Sequence, residues 1–256
     1  MITIDYRGFG HSTGSPTETG LITDGTATVN WVLHTAKIPP ERVVLLGQSL
    51  GTAVSSAVAL NFADPAREIL GQTHAEFEPL LRSRHDIAAP TTFAGVILVA
   101  PFGSLPSLML TYRLGGWVPL LAPLRPFPWL SNSLLSRMTD IWPSAERLAA
   151  YYKVLTANPR LLESKQDDLS GDGSTTRREM GTLRVIHAVN DMDISYHQTE
   201  MICRRMLGES RECINGSSGA ALLDVKESGK PRVTFQIVEY GGTRQDPFVY
   251  DVAAAD

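Results

Sequence analysis

Short apolar runs recur along the chain, and between them apolar residues return at helical spacing. Met1-Ile2-Thr3-Ile4-Asp5 reads as the end of a buried strand. Arg42-Val43-Val44-Leu45-Leu46, Phe93-Ala94-Gly95-Val96-Ile97-Leu98-Val99-Ala100, Leu183-Arg184-Val185-Ile186-His187-Ala188-Val189 and Val233-Thr234-Phe235-Gln236-Ile237-Val238-Glu239-Tyr240 read as further strands. Leu21, Ile22, Val29, Val32 and Leu33 predict a helix over 17–36, broken by Ile38-Pro39-Pro40. The small-residue segment Thr52-Ala53-Val54-Ser55-Ser56-Ala57-Val58-Ala59-Leu60 predicts a second helix, and 196–207 another. A helical stretch over 132–153 is interrupted at Pro143, and 64–90 is irregular with one helix around 75–81. Strands alternating with helices give an α/β chain, a mostly parallel sheet with crossover helices.

Three regions fit neither period. Residues 103–131 are apolar but carry Arg113, Gly115-Gly116, Arg125, Pro119, Pro123, Pro126 and Pro128. A bilayer span of ~20 uninterrupted apolar residues is not there. A surface flap that covers an apolar pocket, or leans on a lipid interface as a peripheral contact, fits better. Residues 163–181 and 208–231 are polar and read as mobile loops. There are no internal repeats, so 1–256 is expected to be a single domain with a lid insertion over 103–153.

Composition narrows the classes. A chain of 256 residues, 43% apolar, can bury one large core. Net charge is −4 with no basic block, which argues against a nucleic-acid partner. Cys203 and Cys213 show no metal spacing and read as free thiols in a reducing compartment, although one disulfide between them is compatible with the sequence. No secretory signal opens the chain. The expected location is intracellular, either cytoplasmic or membrane-associated. Metal ligands do not cluster, and the glycine-rich loop Gly8-Phe9-Gly10-His11-Ser12-Thr13-Gly14 lacks the lysine of a phosphate-binding loop. No metal and no cofactor are expected, and that loop reads as a tight connection.

The most informative stretch is Gly47-Gln48-Ser49-Leu50-Gly51. A bare G-x-S-x-G arises by chance in about one chain in ten of this length. Here it lies between a predicted strand and a predicted helix, the context of the nucleophile elbow of an α/β-hydrolase fold. The glycines are expected to make room for a tight turn that lifts the Ser49 hydroxyl above the sheet. The backbone N–H of Leu50, at the helix N-terminus, is then placed to stabilise an oxyanion.

A serine needs a base, and the base a carboxylate, in the chain order Ser, acid, His. Asn190-Asp191-Met192-Asp193-Ile194 follows a strand, so Asp191 and Asp193 are both candidate acids; the plainer role is a helix N-cap. The histidine is expected after the last strand, beyond Gly241-Gly242, where the chain instead reads Thr243-Arg244-Gln245-Asp246. The histidines are His11, His34, His74, His85, His187 and His197. Only His197 obeys the chain order, on a helix that normally points away from the serine. His11 lies in the glycine-rich loop, His187 more naturally packs locally, and His34, His74 and His85 read as surface or helix residues.

Three motifs, in order and spacing, resemble one family. Asp5-Tyr6-Arg7-Gly8-Phe9-Gly10-His11-Ser12-Thr13-Gly14, Gly47-Gln48-Ser49-Leu50-Gly51-Thr52-Ala53 and His187-Ala188-Val189-Asn190-Asp191 are similar to α/β-hydrolase domain-containing protein 12 and more so to its fungal relatives, over residues 1–242. The resemblance implies a serine hydrolase of monoacylglycerols or lysophospholipids, with Ser49 as nucleophile, Asp191 as acid and an acyl pocket under the flap. It also implies two or three strands before Asp5, a His-Gly loop giving a second oxyanion donor and a Tyr-Gly-Gly-His-Asn motif. The first two are not in this sequence, and Thr243 occupies the His position. Truncation before Met1 and an altered end after Gly242 are the expectation. Loss of a triad base lowers turnover by ~10⁴ to 10⁶. A catalytically impaired scaffold that binds lipid or protein is therefore the competing expectation, and a peptidase or thioesterase on the same fold a third.

Overall fold

A computed structural model describes residues 1–66, 89–114, 118–119, 137–163, 179–209, 213–214 and 219–239. Its frame is a five-stranded sheet built from β1 (Val44–Gln48), β2 (Gly95–Val99), β5 (Thr182–Ala188), β7 (Val233–Val238) and β6 (Ala221–Val225), side by side in that order. The first four run parallel, and β6 returns antiparallel to β7. β3 (Arg113–Leu114) and β4 (Val118–Pro119) form a separate small hairpin.

Register aligns the strand ends that matter. Gln48 pairs with Val99, and Val99 with Ile186. The ladder runs one residue past each end: Ser49 N–H donates to Val99 O (3.0 Å), Ala100 N–H to Ile186 O (2.8 Å) and Val189 N–H to Val238 O (2.8 Å). The segments leaving β1, β2 and β5 therefore emerge at one edge of the sheet, the edge where ligands bind in open α/β sheets.

Helix α1 (Glu18–Asn30) is capped by Thr17, whose Oγ1 accepts from Gly20 N–H, and runs into a π-helical turn, Trp31–Thr35. α2 (Leu50–Ala63) packs between α1 and α4 (Ser144–Ala157), and α4 packs on α5 (His197–Leu207). A buried ion pair joins the starts of two helices: Arg147 donates to Glu18 Oε1, while Glu18 Oε2 accepts from Trp142 N–H. α3 (Leu105–Thr111) follows β2.

Several expectations are corrected. Met1-Ile2-Thr3-Ile4-Asp5 is exposed and forms no strand. Its pattern suits a strand, but a strand exists only with a pairing partner, and β1 is the sheet's edge with β2 alone beside it. A cavity of about 460 Å³ separates the segment from β1. Consequently Val44 and Leu46 are 51% and 58% exposed on an apolar strand. The region 208–231 contains β6, whose burial alternates along Ala221–Val225 and whose Asp224 pairs with Arg232. Cys203 and Cys213 are joined in a disulfide, not free, because the helix and the returning chain bring their Cα atoms to 5.9 Å. The helix expected over 132–153 begins at Ser144, after Pro143. Residues 75–81, most of the apolar flap and most of 163–181 lie outside the described residues.

Candidate active site

The chain makes a sharp reversal between β1 and α2. Ser49 sits at φ 49°, ψ −121°, a strained combination for a side chain and the mark of an elbow. One glycine explains how the turn closes. A Cβ on Gly47 would lie 2.4 Å from Gly51 O, so only glycine fits. Gly51 itself is not needed for space, because a Cβ there meets nothing within 4 Å; both glycines were expected to be required. Thr52 closes the first helical turn, its N–H (2.9 Å) and Oγ1 (2.6 Å) both donating to Ser49 O. The Ser49 side chain stands exposed. The N–H groups of Leu50 and Gly51 open α2 and have no acceptor within the helix. Leu50, the expected oxyanion donor, is the first residue of α2.

β5 delivers the carboxylate. Asp191 N–H donates to Ala188 O, and Asp191 Oδ1 accepts from Asp193 N–H (3.0 Å) and Ile194 N–H (2.9 Å). The plainer expectation of a helix N-cap is corrected: α5 begins only at His197 with no side-chain cap, and Asp191 instead closes its own loop as an Asx turn. The second oxygen, Oδ2, lies 3.8 Å from His187 Nε2, and the side chain is 12% exposed. Asp193 is exposed. β1 and β5 flank β2, so two strand spacings, about 10 Å, separate the strand of Ser49 from that of Asp191. An imidazole bridging them belongs at the end of β7 or on a loop over the edge.

None of the described histidines does this. His187 is fully buried; its Nε2 lies 2.8 Å from Ile194 O and its Nδ1 2.8 Å from Thr199 Oγ1. A carbonyl can only accept, so Nε2 carries the proton and Nδ1 accepts from Thr199. Burial pushes the His187 pKa below its ordinary value. His197 is exposed and bonds Glu200 (2.7 Å). His11 is exposed beside Asp5, and His34 is exposed on the π-helical turn. His74, His85 and Thr243 lie outside the described residues.

The glycine-rich loop is structural. Arg7 clamps it to α1 through Asp24 (2.6 Å), and this guanidinium holds the Asp24 carboxyl below the usual range. Gly10 (φ 54°) passes so close to Asp5 that a Cβ would strike the carboxylate.

One residue escaped the sequence reading. Gln198 is 3% exposed and bonds Gly103, Ser107 and Thr111 across the molecule. Its only signal is a polar residue on the helix face that carries Ile202 and Cys203.

Among the described residues, no group of three or more His, Cys, Asp or Glu is placed to hold a metal, and no helix is long and apolar enough to cross a membrane.

Comparison with known proteins gives the family. The protein YfhR of Salmonella typhi is 51% identical over 51 residues, which is 20% of this chain and 18% of that protein. Human protein ABHD12B is 48% identical over 59 residues, 23% of this chain and 16% of that protein. The chain thus matches less than a fifth of the length of either relative. Among solved structures, an alpha-beta hydrolase from Vibrio vulnificus superposes with a TM-score of 0.48 at 13% identity, covering 92% of this chain and 55% of that one. A model of the alpha/beta hydrolase family matches residues 1–222. With that match over most of its length, the chain belongs to the alpha/beta hydrolase family.

Proposed function

We propose that the chain is a serine hydrolase that cleaves carboxylic esters of lipid type, monoacylglycerols or lysophospholipids, through an acyl-enzyme on Ser49. The observation that carries this reading is the elbow: an exposed hydroxyl on a strained turn, with the Leu50 N–H open beside it. In the first step Ser49 Oγ bonds to the acyl carbon, its proton leaves to a base, and the carbonyl oxygen takes the negative charge facing Leu50 N–H. Collapse expels the alcohol, which takes up a proton, and water then releases the acid. Asp191 Oδ2 is the acid that would orient an imidazole. The lipid preference rests on the sequence resemblance to the α/β-hydrolase domain-containing protein 12 branch and on the apolar region after β2, which would also give a peripheral membrane contact. A membrane-associated location accords with that preference, while the Cys203–Cys213 disulfide removes the free-thiol argument for a reducing compartment.

A second reading is a catalytically impaired scaffold that binds a lipid or a protein. It is favoured by one observation: Thr243 stands in the family's His position, and no histidine follows His197.

Hydrolysis of p-nitrophenyl butyrate and of a monoacylglycerol separates the two. The hydrolase reading expects slow turnover that Ser49→Ala abolishes and Thr243→His raises by about 10³-fold or more. No turnover in either the parent or Thr243→His leaves the scaffold.

A further inference from the structure

We infer that Gln198 is a positioning residue that latches α3 onto α5 and so fixes the roof of the acyl site over Ser49. This rests on the proposed acyl chemistry for what the roof covers, but not for the latch itself.

α3 has seven residues, far below the length at which a helix holds itself in water. Only Leu108 of its residues is fully buried, Leu105 is half-buried against the core, and Leu110 is 53% exposed. Its N-terminus is closed by a capping box between Ser104 and Ser107. Its first residue is also tied by backbone, Leu105 N–H donating to Ile141 O at 2.9 Å; the rest of its length is gripped by one side chain.

Gln198 Oε1 accepts from Gly103 N–H at 3.0 Å and lies 3.1 Å from Ser107 Oγ, whose single proton is shared with Ser104 O. Gln198 Nε2 donates to Thr111 Oγ1 at 3.0 Å and to Ser107 O at 3.3 Å. Gly103 N–H can only donate, so the carboxamide has one orientation, and both its ends are used. The contacts grip the approach to α3, its first turn and its last residue. Gly103 completes the fit: a Cβ there would lie 2.3 Å from Met201 Cε, so the backbone rests directly on α5.

The position of the latch gives it a consequence. α3 begins shortly after β2 ends, and that end is hydrogen-bonded to the elbow through Ser49 N–H and Val99 O. The next residue on α5, Thr199, bonds His187, which in turn holds Ile194 of the acid turn. One helical turn therefore supports both the roof and the acid. Loosening Gln198 frees the roof while Thr199 still holds the acid.

Gln198→Leu and Gln198→Glu test this by hydrogen–deuterium exchange and by ester selectivity. Leu removes every polar contact, while Glu keeps the acceptor for Gly103. Exchange over 103–111 should quicken about tenfold in Gln198→Leu and less in Gln198→Glu, with β2 and β5 as protected as in the parent. The ratio of kcat/KM for p-nitrophenyl decanoate over the acetate should fall about fivefold or more, through KM. Unchanged exchange over 103–111, or protection lost equally in β2 and β5, overturns the latch. Quickened exchange with an unchanged ester ratio overturns the roof. If neither the parent nor Thr243→His hydrolyses either ester, the hydrolase reading has failed; the latch is still decided by exchange, and the roof by decanoate binding in calorimetry, where weaker binding by Gln198→Leu is expected and equal binding overturns it.

Discussion

Two tight turns leave the same edge of the sheet, and they treat their side chains in opposite ways. After β1, the elbow holds Ser49 in a strained conformation and uses only its backbone; Thr52 bonds the carbonyl and the hydroxyl is left exposed. After β5, the turn at Asp191 spends one carboxylate oxygen on its own backbone and is braced from beneath by buried His187. A nucleophile must be free to bond carbon, whereas an acid must be held still. The contrast shows which residue of each turn a substitution can change without collapsing the other.

The largest effect should come from Ser49→Ala, which removes the nucleophile while sparing the backbone contacts. In the Thr243→His background ester turnover should fall by ~10⁴-fold or more, to the level of the assay blank, with Tm unchanged. Asp191→Asn should come next. The amide oxygen still accepts from Asp193 and Ile194, so a melting curve should barely move, while turnover drops by about 10³- to 10⁴-fold in the Thr243→His background. Asp191→Ala loses the turn as well, and should cost about 1 kcal/mol by urea unfolding.

Stability separates the glycines of the elbow. Gly47→Ala drives a Cβ into Gly51 O and should cost about 3 kcal/mol. Gly51→Ala meets open space near the start of α2 and should be neutral or stabilising by up to about 1 kcal/mol. Equal losses in urea unfolding would contradict this account of the turn.

The smallest effect is a pH dependence. His187 has its pKa lowered from 6.5 by burial, so the unfolded chain binds more protons than the folded one between the two values. Stability is full above pH 6.5 and declines as pH falls toward the depressed value. Tm measured from pH 7.5 to 5 should drop, and His187→Gln should flatten that drop.

How much of this was legible in the sequence depends on where the partner of each feature lies. β2, β5 and β7 are paired on both sides; β2 shows as a continuous apolar run, and β7 as an alternation of Val233, Phe235 and Ile237 with Thr234 and Gln236. β6 is a short edge strand with exposed Leu222 and Asp224, and its alternation is lost among polar neighbours. Met1-Ile2-Thr3-Ile4-Asp5 has a strand's pattern without a strand's neighbour, which composition cannot reveal. The elbow was readable because its constraint is local, between Gly47 and Gly51. Asp191 was readable because its turn follows directly on a strand. Gln198 and the Cys203–Cys213 bond were not, because their meaning lies in contacts set by how α5 packs. The base belongs to the same category: the sequence shows Thr243 where an imidazole was expected, and no described histidine replaces it.

The central claim is that Ser49 is a nucleophile presented by the elbow. It is tested most directly by treating the purified chain and its Thr243→His variant with a fluorophosphonate, then mapping the adduct by peptide mass spectrometry. The account predicts a single phosphonyl group on Ser49, gained faster in Thr243→His and absent in Ser49→Ala. An adduct on another residue, or none on Ser49 in either protein, would contradict it.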